Sequence, residues 1–110
     1  MKNTSRSQQN IAPNTPDVKR SIDKIDIFDI SENPVLYFRK RLGLTQTKLA
    51  LMTGITASRI SMIENSEKYP SDWYYDALAD IFDVDRNDLR KATIHHINRH
   101  RTELLANVGL

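Results

Sequence analysis

The chain has 110 residues, enough for one small domain and few enough that two would be unusual. It contains no cysteine, which excludes a disulfide framework, a thiolate metal site and a thiol nucleophile. The formal net charge is only +2, and no apolar run approaches the ~18 residues of a membrane span or forms a signal-peptide core, so a reducing cytoplasm is the default expectation.

Net charge says little about partners, but its distribution says more. Residues 34–66 carry Arg39, Lys40, Arg41, Lys48 and Arg59 against Glu64 alone. Residues 67–85 carry Glu67, Asp72, Asp76, Asp80, Asp83 and Asp85 against Lys68 alone. A basic stretch beside an acidic one predicts a domain with one face toward phosphate and another turned away, with ordinary surface charge as the bland alternative.

Residues 1–20 are rich in Asn, Ser, Gln, Thr and Pro and offer almost nothing to bury. Such a segment cannot offset its ordering entropy, which predicts a disordered N-terminal arm. Its Lys2, Arg6, Lys19 and Arg20 could follow a DNA backbone or minor groove, and a passive tail is the alternative. Residues 21–33 support two readings. Ile22, Ile25 and Phe28 fit helical spacing, whereas Ile25 with Ile27 and Phe28 with Ile30 fit strand alternation. This piece is expected to be a docking or dimerisation segment, as a short helix or an added strand.

Asn33 followed by Pro34 predicts the start of a first helix, with Val35, Phe38 and Leu42 as its core stripe, Gly43 as its end and Leu44 at the corner. Residues 45–65 then show two short helical patterns around a tight turn. Thr45 and Thr56 stand where N-caps belong, and Gly54 permits the positive φ of an abrupt helix end. Leu49, Ala50 and Met52 mark one apolar face, Ile60 and Ile63 mark another, and Ile55 is an apolar plug beneath the turn. Two helices joined in this way make a helix-turn-helix, whose second helix usually enters the DNA major groove.

Ser71 is a candidate cap for a fourth helix burying Tyr75, Leu78, Ala79 and Phe82 with its aspartates opposite. Val84 and Leu89 frame a fifth helix begun by Asp85. From residue 93 to 110 the composition stays helical, with Ile94, Ile97, Leu104, Leu105 and Val108 roughly in one stripe. Because five helices already complete a core, this C-terminal extension is expected to bury that stripe in a dimer, and folding back on its own domain is the alternative.

With these elements placed, residues 35–90 resemble the lambda-repressor-like, Cro-type helix-turn-helix family of prokaryotic and phage DNA-binding proteins. The resemblance is carried by Phe38 and Arg39, by Gly43, Leu44, Thr45 and Gln46, and by Leu49, Ala50, Gly54, Ile55 and Thr56. It continues through Ile60, Ser61, Ile63, Glu64, Asn65, Pro70, Ser71, Leu78, Ala79 and Val84. It implies an all-α fold, a compact five-helix lambda-repressor-like DNA-binding domain over residues 34–92. The family's base-reading positions fall on Ala57, Ser58, Ser61 and Met62, with Arg59 beside them.

Arg59 can bridge guanine O6 and N7 in two bonds or can hold a phosphate. Ser58 and Ser61 can donate or accept, and Ala57 and Met62 offer apolar contact to a thymine methyl. So small a reading surface implies that DNA shape shares the specificity. Gln46, Thr56, Asn65 and Lys68 are the candidate backbone contacts, while Lys40 and Arg41 are read first as solvated surface charge. Arg39 and Glu64 match a family ion pair between helices 1 and 3 and are assigned to structure. Two positions depart from the pattern. Ser66 replaces a glycine after Asn65, and Lys48 replaces the acid that would complete a capping box.

The implied function is a sequence-specific, double-stranded-DNA-binding transcriptional regulator. It would act as a repressor, binding an inverted-repeat operator as a cytoplasmic homodimer without cofactor or metal. The alternative is a protein-interaction module or antitoxin-like protein that uses the same fold, or its C-terminal extension, to bind a protein partner. His95, His96 and His100 invite a metal reading, yet no HExxH or cysteine partner accompanies them, and nothing else marks an enzyme.

Overall fold

The computed structural model describes residues 26–108. The arm expected at 1–20 lies outside these residues, as do Ile22 and Ile25 of the docking segment. Among the described residues there are five α-helices, α1 (Pro34–Arg41), α2 (Gln46–Thr53), α3 (Ala57–Glu64), α4 (Asp72–Phe82) and α5 (Arg86–Asn107), preceded by a 3₁₀ turn at Ile27–Asp29.

The helix starts are set locally. Asn33 Oδ1 accepts from Val35 N at 2.9 Å and Leu36 N at 3.3 Å, and Pro34 holds the first helical position, where no N–H is needed. Thr45 Oγ1 accepts from Lys48 N at 3.0 Å, Thr56 Oγ1 from Arg59 N at 3.2 Å, and Asp85 Oδ1 from Asp88 N at 2.9 Å. Ser71 departs from expectation. It holds the N-cap position of α4 with an extended backbone, but its side chain makes no capping bond. Its carbonyl instead accepts from Tyr74 N at 3.0 Å, closing the first turn through backbone alone.

The helix ends show why glycine is useful here. Gly43 takes φ +69°, so that its own N–H reaches the Lys40 carbonyl at 2.9 Å and the Leu44 N–H reaches the Arg39 carbonyl at 3.1 Å. Those two bonds satisfy carbonyls that α1 would otherwise leave unpaired. Arg39, Lys40 and Arg41 in the same last turn also favour the negative end of the helix dipole.

All five helices and the 3₁₀ turn share one core. Val35 and Phe38 of α1, Leu49 of α2, Ile60 and Ile63 of α3 and Leu89 and Ala92 of α5 surround Tyr75, Leu78, Ala79 and Phe82 of α4. Phe38 stacks on Phe82 at 5.4 Å between ring centres. Each fully buried aliphatic or aromatic side chain contributes roughly 1.5–3 kcal/mol, so this shared cluster is what keeps such short helices folded.

Three apolar residues lie elsewhere than their spacing predicts. Leu42 sits at the C-cap of α1, already leaving the helix, and is half-exposed. Met52 is exposed with Leu51, because α2 meets the core only through Leu49 and, in part, Ala50. Phe28 also faces outward. The segment before α1 forms a 3₁₀ turn with about three residues per turn, which aligns Ile27 and Ile30 against the domain instead.

Helix α5 runs unbroken across residue 93. Leu89, Ala92, Thr93 and Ile97 are buried, and from residue 98 onward the helix lies at the surface, with Leu104, Leu105 and Val108 exposed.

Candidate nucleic-acid interface

Helix α2 ends on Gly54 at φ +81°, Ile55 is buried beneath the turn, and α3 begins immediately after Thr56. Ile60 and Ile63 are completely buried, which fixes the roll of α3 about its axis. The opposite side therefore faces water. Ser58 and Arg59 are exposed, and Ala57, Ser61 and Met62 are half-buried along the edges of that face. The Arg59 guanidinium makes no ion pair or side-chain hydrogen bond among the described residues.

At the far end of α3 the side chains are committed. Glu64 is almost fully buried and receives Arg39 Nε at 2.6 Å on one oxygen and Arg39 Nη2 at 3.0 Å on the other. A third Arg39 donor, Nη1, reaches the Leu44 carbonyl at 2.7 Å. The hydrogen bond to Glu64 raises the pKa of the guanidinium above its ordinary value, more than burial lowers it, so Arg39 stays charged. The only acid in the basic stretch is thus withdrawn from the surface and neutralised.

Gln46 joins the same group, its amide nitrogen donating to Glu64 Oε1 at 2.9 Å. An amide carries two N–H donors and a carbonyl, so this bond leaves one donor for a phosphate oxygen while fixing where the side chain lies. Thr56 retains its hydroxyl proton after accepting from Arg59 N, and Asn65 and Lys68 are exposed just beyond α3.

Spacing gave no sign of a second role for Asn33. Besides capping α1, it is buried and donates through Nδ2 to the Ile63 carbonyl at 2.8 Å, with Ser66 Oγ at 3.5 Å. One side chain therefore joins the start of α1 to the end of α3. Ser66, standing where glycine was expected, takes the left-handed conformation at φ +61°. Its N–H reaches the Ile63 carbonyl at 3.0 Å and the Glu67 N–H reaches the Met62 carbonyl at 2.8 Å, the same paired bonds that end α1 at Gly43.

The loop after α3 is braced from α5. The Tyr69 hydroxyl donates to Asn98 Oδ1, and Arg101 lies 5.2 Å from the centre of the Tyr69 ring while donating to the Glu67 carbonyl at 3.3 Å. On α4, the exposed Asp72, Asp76 and Asp80 lie opposite its buried side, where Arg86 pairs with Asp76 and approaches Asp72 at 3.9 Å.

Among the described residues no group of three or more side chains is placed to hold a metal ion. His96 is half-buried, and burial followed by the Arg99 charge lowers its basicity. Burial pushes the Tyr75 phenol up to about 12, so it stays protonated within the core. No helix among the described residues is long and apolar enough to cross a membrane.

Two short helices at a glycine turn, the second buried on one side and open on the other, define the class as helix-turn-helix. The helix-turn-helix family profile matches residues 35–89, half of the chain. The protein belongs to this lambda-repressor-like, Cro-type family, which is one of DNA-binding transcription regulators. No curated protein and no solved structure matches the chain.

Proposed function

We propose that the protein is a sequence-specific transcriptional regulator, acting as a repressor by occupying an operator with α3 in the major groove. The observation that carries this reading is the outward face of α3, exposed, free of acid and bearing an unpaired Arg59, on a helix whose inward face and far end are both fixed. Ala57, Ser58, Arg59, Ser61 and Met62 read base edges. Gln46, Thr56, Asn65 and Lys68 hold the backbone and set the register.

The operator is an inverted repeat bound by a homodimer, whose half-sites lie about one helical turn apart. The exposed Leu104, Leu105 and Val108 on the last turns of α5 are the apolar surface a second copy would cover. Selecting bound duplexes from a random pool at physiological salt tests the whole reading. A palindrome with half-sites about ten base pairs apart is the expected result. A single half-site would retain DNA binding and remove the two-fold dimer. Salt-sensitive binding without any enriched motif would overturn sequence-specific regulation and favour a protein-binding role for the same fold.

A further inference from the structure

We infer that Arg101, which lies outside the family-matched residues, is a DNA phosphate contact that continues the line begun by Asn65 and Lys68. The inference rests on the DNA-binding reading above. Arg101 lies one turn beyond Ile97, the last buried residue of α5, where the helix passes the loop that follows α3. Asn98 and Arg101, three apart and so on one side of α5, grip that loop together, Asn98 through the Tyr69 hydroxyl and Arg101 through the Tyr69 ring and the Glu67 carbonyl. Lys68 lies between those two anchor points in sequence, and Asn65 immediately precedes the loop.

What holds Arg101 orients it without neutralising it. An aromatic face and a neutral carbonyl are its partners, and no carboxylate pairs with it among the described residues. Arg39 and Arg86, by contrast, are matched to acids. A guanidinium has five N–H donors, and the carbonyl of Glu67 takes one. An exposed cation, already ordered and rich in remaining donors, avoids much of the entropy loss that a flexible arginine meets on binding phosphate. A duplex whose major groove holds α3 brings its backbone to the end of that helix, and this is where Arg101 is presented.

The test uses the full chain and the duplex recovered by selection, comparing wild type, R101Q, R101M and R101K between 50 and 200 mM salt. Each lost phosphate contact makes the slope of log K against log salt shallower by about 0.9, and the homodimer loses two, so wild type should lose roughly 12-fold more affinity over that range than R101Q. R101M, which keeps an apolar stem on the Tyr69 ring, should match R101Q, whereas R101K should keep the wild-type slope. The enriched motif should be the same for all four, since a phosphate contact carries no sequence information. An unchanged slope in R101Q and R101M overturns the inference while leaving the DNA reading intact, and a lowered melting temperature beside that unchanged slope would reduce Arg101 to a brace. Wild type that shows no selective, salt-dependent binding overturns both.

Discussion

The two ends of α3 are held in different ways. Its N-terminal end, nearest the proposed base-reading positions, is fixed by its own Thr56 cap and by the Gly54 turn above the buried Ile55. Its C-terminal end is held by side chains from other segments, with Arg39 and Gln46 on Glu64, Asn33 on the Ile63 carbonyl and a left-handed Ser66 closing the last turn. The difference separates two tasks. Ala57, Ser58, Arg59, Ser61 and Met62 can change without disturbing the anchor, and of the side chains in the anchor only Gln46 keeps a donor for DNA.

Breaking the anchor should therefore have the largest effect on stability. Arg39→Ala leaves the Glu64 carboxylate nearly buried with only Gln46 as a charge-stabilising donor. Removing one partner of a buried pair costs about 3–5 kcal/mol, and the lower end is expected because Gln46 remains. Chemical denaturation measures it. Unchanged melting with a sharply altered site preference would move Arg39 from the anchor to the reading surface. Asn33→Ala comes next at roughly 2 kcal/mol, from one lost cap and one lost buried hydrogen bond. Asn33→Asp is the sharper probe. It keeps the acceptor for α1 but sets a carboxylate against the Ile63 carbonyl, so it should lose stability although the cap survives.

The same contrast explains what could be read from the chain beforehand. Asn33, Thr45, Thr56 and Asp85 were legible as caps because a cap acts across two or three residues. Gly43 and Gly54 were legible because a left-handed helix end requires them or a close substitute. Ile60 and Ile63 were legible from periodicity, Ile55 from its place just after the Gly54 turn, and Arg39 with Glu64 only through family resemblance. Periodicity failed at Leu42 and Met52, since in helices of eight residues it cannot say which apolar positions still face the core. Phe28 was misplaced because its three-residue spacing from Ile25 does not say which residues face the domain, and the 3₁₀ turn puts Ile27 and Ile30 there. The bonds from Asn33 to Ile63 and from Tyr69 to Asn98 span 30 and 29 residues, and no local pattern encodes them.

The N-terminal end should respond more mildly. Thr56→Ala removes the cap of α3 at about 1 kcal/mol, and Thr56→Ser, which keeps the hydroxyl, should restore most of it. If Thr56→Ala destabilises as much as Arg39→Ala in the same titration, the two ends are not held differently. Ser66→Gly tests the anchor in the opposite direction. It relieves an L-residue of a left-handed conformation that costs roughly 1–2 kcal/mol, against about 0.5–1 kcal/mol for the added freedom of glycine when unfolded. A net gain near 0.5 kcal/mol should raise Tm by about 2–4 °C. A fall in Tm would mean that the contact of Ser66 Oγ with Asn33 outweighs the strain.

The smallest effect should be one of pH, reaching the anchor from its outer side. His96 lines a cleft on α5 with Ile27, Phe28, Ile30 and Pro34, the segment that leads directly into Asn33. Burial, then Arg99 and His100, hold its pKa below the ordinary 6.5, and Glu103 offsets this only in part. The unfolded chain therefore binds a proton more readily than the folded one, and stability falls as pH drops below 6.5 and through the lower folded value. Above 6.5 the ring is neutral in both states and contributes no slope. His96→Gln should flatten denaturation midpoints between pH 7 and pH 5 relative to wild type. Such flattening would place the sensitivity where the 3₁₀ turn meets the helix. An unchanged pH dependence in His96→Gln would place it in the general positive charge of α5.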